Sequence, residues 1–152
     1  MWLIQLYGIE SEKIKRKYEK HFNINGYVIY ISSSLKTNHD TFLTENHSFC
    51  YFGNLEYGRD KSLLEVSESL YKVNKNYLLE IYSKDIDKFN GKKIPPNIVL
   101  HKQISYENVL KEMKKCFCLV IAEGTKNKNV EMTKYSLSTK VSDYLSIGKP
   151  IL

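Results

Sequence analysis

FCYFGNLEYGRDKSLLEVSESLYKV, residues 49–73, is the stretch that decides the fold. Phe49 to Phe52 form an unbroken apolar and aromatic run, as in a strand buried on both faces. Gly53 ends that run. From Asp60 onward, Leu63, Leu64, Val66, Leu70 and Val73 recur at helical spacing. A strand, a glycine loop and an amphipathic helix are the opening half of a parallel crossover.

The same rhythm continues downstream. Residues 77–82 read as a strand, and 83–91 as a polar excursion with a short helix, closed by Pro95 and Pro96. Residues 98–100 read as a short strand. Ser105 is placed to cap a helix through Lys114, with Asn108 at the third position and Val109, Leu110 and Met113 as its apolar positions. Residues 116–122 form a near-continuous apolar strand, and 123–135 a charged loop. Ser138 is placed to cap a helix through Ser146, Gly148 stops it, and 150–152 begin another strand. The order β-α-β-(α)-β-α-β-α-β predicts an α/β fold, a Rossmann-like doubly wound layer with a mostly parallel sheet. Such sheets take ligands beyond the carboxyl ends of their strands, which singles out loops 53–59, 83–90, 101–105 and 122–138.

Upstream, residues 2–7 read as a strand ended by Gly8. Residues 10–21 read as a lysine-rich helix with Ile14 and Tyr18 four apart, and 27–31 as a strand. Residues 32–47 are polar and look like a linker or crossover. The chain therefore divides at 1–47 and 48–152. Its end falls inside or just after a strand, which leaves a sheet edge to be covered. The second part is thus expected to be truncated at its C-terminus, or completed by a partner chain or a homo-oligomer.

Composition sets the outer limits. The 152 residues suffice for one domain, or one domain plus a fragment, and 42% hydrophobic content argues against disorder. A formal net charge of +6 favours an anionic partner: nucleic acid, an acidic membrane face or a phosphorylated small molecule. Nucleic acid is disfavoured because no helix shows clustered arginines and no aromatic platform is apparent. Cys50, Cys116 and Cys118 each sit in an apolar run without a Cys-x-x-Cys. They read as buried thiols of a reducing compartment, and no metal site is expected. No apolar run is long enough to span a bilayer, and residues 1–7 lack a basic leader. The expected location is cytoplasmic, with contact to the anionic inner face of the cytoplasmic membrane as a further option. No Gly-x-Ser-x-Gly elbow supports a serine hydrolase.

Three segments carry candidate chemistry. In 53–60, a turn at Gly53 precedes a helix whose free N–H groups suit a phosphate, and Arg59 stands at the helix start. The same residues also fit an ordinary surface arginine beside a turn glycine. In 138–150, Ser138, Thr139 and the helix N-terminus can hold an anion, while Lys140 and Asp143, three apart, can share one side. Lysine matches a diphosphate, and an ionised aspartate matches a ribose diol. A salt-bridged solvent face fits that pattern equally well. In 123–135, Glu123 and Glu131 are placed for a sugar or acceptor, and the lysines serve either an acidic substrate or solubility. His101 ends a strand on the ligand side, as a contact or as an incidental residue.

These motifs resemble the donor-binding half of GT-B glycosyltransferases of the family 4 type. The family's Gly-Arg-Leu-x-x-x-Lys-Gly loop aligns with Gly53-Asn54-Leu55-Glu56-Tyr57-Gly58-Arg59-Asp60. Arg59 falls at the diphosphate-supporting lysine, Asn54 replaces an arginine, and Asp60 replaces a glycine. The family's Lys-x-x-Glu-Tyr-Leu-Ala-x-Gly-Lys-Pro-Val aligns with Lys140 to Ile151, with Asp143 at the ribose-binding glutamate. The family's other glutamate, eight positions earlier, meets Tyr135, so its sugar-side role is either empty or displaced to Glu131 or Glu123. The resemblance implies one half of a GT-B architecture, with residues 1–47 as a remnant of the acceptor-side domain. It implies a retaining transfer from a UDP- or GDP-sugar to an envelope glycan or lipid-linked acceptor, as in cell envelope polysaccharide biosynthesis, without metal or cofactor. Arg59 and Lys140 would act on the leaving diphosphate, and Gly53, Asn54, Ser138, Thr139 and Asp143 would bind the nucleotide. With little acceptor domain present, the isolated chain is expected to transfer weakly or not at all. The alternative is a non-catalytic nucleotide-sugar-binding subunit or remnant that needs a partner chain.

Overall fold

The structure is a computed structural model and describes residues 8–9, 11–29, 47–125, 130, 138 and 140–152. It opens with β1 (Gly8–Ile9), α1 (Glu12–Phe22) and β2 (Tyr27–Val28), the two short strands pairing in parallel. Ser11 caps α1, its side chain accepting from the Ile14 N–H at 3.2 Å. Residues 2–7, expected as a strand, and most of 32–47 lie outside the described residues. Gly8 belongs to β1 instead of ending a strand.

The larger unit follows the expected order: β3 (Ser48–Phe52), α2 (Arg59–Val73), β4 (Leu78–Ser83), a 3-10 turn at Ile86–Phe89, β5 (Ile98–Lys102), α3 (Tyr106–Lys115), β6 (Cys118–Leu119) and α4 (Lys140–Ile147). The four strands lie parallel in the order β5-β4-β3-β6. Ile151 bridges Leu119 in parallel on the far side of β6. Numbered from β3, this is the Rossmann order, with the direction of winding reversing between β3 and β6.

β6 is shorter than the apolar run at 116–122 suggests. Cys116 serves as the C-cap of α3, its N–H bonding back to Glu112 and Met113, so the strand cannot begin there. Single bonds extend the pairing at both ends: Phe117 N–H to the Ser48 carbonyl (2.9 Å) and Val120 N–H to the Cys50 carbonyl (2.8 Å).

β3 is buried at every residue. Its alternation feeds two cores, because successive side chains leave opposite faces of a strand. Phe49 and Tyr51 join Leu63 and Leu70 of α2, Leu79 and Ile81 of β4, and Cys118 and Val120. Cys50 and Phe52 join Met113, Leu119, and Tyr144 and Ile147 of α4. Helices therefore cover both faces, as a doubly wound layer requires.

The expectation of three separate buried thiols is corrected on one point. All three are buried, but Cys50 and Cys116 form a disulfide and only Cys118 is free. The docking of β6 beside β3 brings the end of α3 against Cys50, and spacing along the chain gives no hint of it. Ser105 occupies the N-cap of α3 as expected, but its side chain makes no capping bond. Gly148, at φ +73°, does end α4, with its N–H on the Leu145 carbonyl at 3.1 Å. Among the described residues no helix is long and apolar enough to cross a membrane.

Asp60, aligned above with a glycine, has a structural task. Its carboxylate meets Lys92 at 2.6 Å and ties the start of α2 to the loop before β5. Burial opposes its ionisation, but the hydrogen bond and charge of Lys92, helped by Lys61, hold its carboxyl below the usual range. A depressed carboxylate stabilises the fold above its unfolded pKa, about 4, and loses that contribution as pH falls through the folded value. Asp60→Asn should cost about 1–2 kcal/mol at pH 7. The gap to wild type should narrow toward pH 3, as urea unfolding at both pH values can show.

Candidate functional site

Beyond the carboxyl ends of β3, β4 and β5 lies a cleft of about 360 Å³. Gly53 and Asn54 enter it from β3, Ser83 and Lys84 from β4, and Gln103 and Ile104 from β5. Tyr106, Val109 and Met113 of α3 form one wall, and Lys140 and Asp143 of α4 another. Three of the four loops singled out from the sequence thus converge, and the i, i+3 pair on α4 does share the cleft side.

The loop after β3 is held firmly. Gly53 N–H bonds the Tyr82 carbonyl at 3.0 Å, and Leu55 N–H bonds the Asp85 carboxylate at 3.1 Å. The Tyr51 hydroxyl donates to the Asn54 carbonyl at 2.6 Å. Burial, partly offset by the charge of Arg59, pushes that hydroxyl up to about 12, so it remains a neutral donor.

Gly53 is needed for a different reason from the one expected. The left-handed residues of this loop are Tyr57 (φ +57°) and Gly58 (φ +83°). At Gly53 the constraint is space: a Cβ there would overlap the Lys140 ammonium and stand 3.0 Å from the Tyr51 hydroxyl. Lys140 thus lays its charge across a bare backbone, with its Nζ 5.0 Å from the centre of the Tyr51 ring. Burial and the nearby charge of Arg59 lower its pKa, and Glu123 partly opposes them. Among the described residues no carboxylate lies within ion-pair distance of Lys140 Nζ, although Arg59 is close enough to repel it.

Arg59 begins α2 as expected but does not line the cleft. Its Nε and Nη2 donate to one oxygen of Glu123 at 3.1 and 2.8 Å, and its Nη1 donates to Asn54 Oδ1 at 2.6 Å. The guanidinium side chain is 14% exposed and the carboxylate 35%. Ser62 of α2 fixes the backbone here, its hydroxyl donating to the Glu123 carbonyl at 2.7 Å. Glu123, expected on the sugar side, is therefore engaged by Arg59.

Asp143 has a neighbour that the sequence did not announce: Tyr106, the first residue of α3, lines the same cleft, and its hydroxyl feels the charge of the Asp143 carboxylate. The placement of Tyr106 beside the flagged loop after β5 was the available clue. His101 lies outside the lining. Its ring stacks on Tyr82 at 4.3 Å and its Nε2 meets Glu80 at 3.1 Å, a structural arrangement. Tyr82 in turn stacks on Phe52 at 4.7 Å, which makes an aromatic floor across the ends of three strands. The Ser138 carbonyl accepts from Val141 N–H at 2.9 Å in the first turn of α4. Thr139 and Glu131 lie outside the described residues.

A parallel sheet in Rossmann order, with a cation-bearing cleft at its carboxyl edge, is the framework of a small-molecule-binding α/β domain. Residues 51–152 match the family described as glucosyltransferase 3-like, C-terminal domain. The chain belongs to that family, which makes its function glycosyltransferase-related. No curated protein matches the chain.

The steric argument at Gly53 is directly testable. Gly53→Ala should displace the Lys140 ammonium and weaken inorganic pyrophosphate binding about tenfold, the scale of one charge-assisted hydrogen bond. The thermal midpoint should change little, because the atom displaced is the end of a flexible side chain. Unchanged pyrophosphate affinity would refute the steric role.

Proposed function

We propose that this chain is the donor-binding half of a GT-B glycosyltransferase of the family 4 type. The donor is a UDP- or GDP-sugar, the transfer proceeds with retention, and the acceptor is an envelope glycan or a lipid-linked glycan. The observation that carries this reading is the Lys140 ammonium. It is half-buried at the carboxyl edge of the sheet, near a second cation, with no carboxylate of the described residues in ion-pair reach. A partly desolvated ammonium repelled by a neighbouring guanidinium is held there at a cost, and an anion that binds at Lys140 in the cleft offsets it.

In this reading Lys140 meets the diphosphate, and the first turn of α4 adds N–H donors. As the glycosidic bond breaks, negative charge grows on the leaving diphosphate, and a fixed ammonium stabilises it without a metal. Asp143 accepts from the ribose hydroxyls. A carboxylate offers about four acceptor sites, enough for both hydroxyls of a diol even beside Tyr106. The aromatic and apolar lining from Phe52 to Met113 offers an apolar surface to the rest of the nucleotide. The net charge of +6 is consistent with work beside an anionic membrane face.

One observation favours a second reading, a non-catalytic nucleotide-sugar-binding subunit. The Glu123 carboxylate is committed to Arg59, and a sugar-side carboxylate would have to come from elsewhere. Copurification with a separate acceptor-domain protein would support it.

Calorimetric titration with UDP, UDP-sugars and GDP-sugars tests the donor site. Wild type should bind at least one with submillimolar affinity, and Lys140→Ala should weaken it by about 10–100-fold, the span of a charge-assisted contact. Absence of binding to all of them at millimolar concentration would remove the donor-site reading.

A further inference from the structure

We infer that Asn54 is a phosphate donor of this cleft and that Arg59 acts through it, as a positioning residue. The inference rests on the diphosphate reading above and names a contact within it.

The carboxamide of Asn54 has an oxygen that only accepts and a nitrogen that only donates. The groups around it decide which end faces which way. Arg59 Nη1 approaches at 2.6 Å and Glu56 N–H at 3.3 Å, and both are obligate donors. Only the oxygen can face them, so the orientation follows from the network. The Nδ2 amide is left as the other end, and Asn54 lines the cleft together with Gly53 and Lys140. Its two N–H donors are thus the end left for a ligand in the cleft that the half-buried Lys140 also lines.

Arg59 is held to this task from behind. Glu123 takes its Nε and Nη2, and Ser62 anchors the backbone of Glu123. The fork leaves Nη1 aimed at Asn54, at a charge-assisted distance. A lysine could carry the same charge but not the same fixed geometry. The chain Ser62–Glu123–Arg59–Asn54 therefore converts an ion pair outside the cleft into the orientation of a neutral amide inside it. An arginine at position 54 would bring its own charge to the phosphates. Asparagine brings donors without adding a third cation next to Lys140 and Arg59.

UDP binding to the full chain by calorimetry provides the test. Asn54→Asp keeps size and the acceptor toward Arg59 but replaces the amide with an oxygen, and should weaken UDP at least about tenfold with little change in thermal midpoint. Arg59→Lys keeps the charge and loses the fork. It should weaken UDP several-fold in the wild-type background and have no further effect in an Asn54→Ala background, since residues acting in series are not additive. In wild type, the Asn54 side-chain amide NMR signals should shift along the UDP titration with the same Kd. Equal losses from Arg59→Lys in both backgrounds, wild-type affinity in Asn54→Asp, or unmoved amide signals would each overturn the inference. If wild type itself binds no UDP or other nucleotide, the donor-site reading fails first, a result distinct from all of these. Should Arg59→Lys fold poorly, Asn54→Asp and the amide signals still decide.

Discussion

The central strand β3 is the constraint on which everything else depends. It is paired on both sides and buried on both faces, so none of its backbone or side chains is left to solvent. Two cores meet at its alternating residues. Moving β3 by one residue would exchange Phe49 and Tyr51 with Cys50 and Phe52 and empty both cores at once. Its neighbours inherit this register: β4 pairs with it residue by residue, and the Cys50–Cys116 bond fixes where α3 ends and β6 begins.

The cleft is an outgrowth of the same strand. Tyr51 belongs to the core by its ring and to the loop by its hydroxyl, so packing and site share one side chain. Phe52 adds the first ring of the aromatic floor, and its N–H meets the Tyr144 hydroxyl of α4 at 3.4 Å. That contact links the strand that delivers Gly53 to the helix that delivers Lys140. Position and charge at the cleft are thus set by elements already fixed by burial, with only short loops between.

The parts of this fold legible in the sequence are those with a local period. Leu63 to Val73 announce α2, and the apolar run after Cys116 announces a strand, because burial repeats at the spacing of the backbone. Lys140 and Asp143 were legible as a pair for the same reason, since three residues make one helical face. What was hidden depends on contacts between distant segments. Cys50 reaches Cys116, Arg59 reaches Glu123, and Tyr106 reaches Asp143 only after the sheet has assembled. Arg59 and Glu123 were both recognised as polar residues at the right edge of the sheet, but their attraction to each other could not be read from either loop. Ser105 shows the opposite case: a residue with a familiar capping pattern whose side chain does not perform the task.

Gly53 carries a consequence for how this chain can vary. The need for glycine there lies in the ammonium that crosses it, not in the path of the backbone. Positions 53 and 140 are therefore coupled: a methyl group at one becomes tolerable when the cation at the other is shortened or re-routed. Homologous chains should show the two sites drifting together, with bulk appearing at the first only where the second has given up its long side chain. A residue without a side chain thus belongs to the chemistry of the cleft, as the space in which another residue's charge is kept.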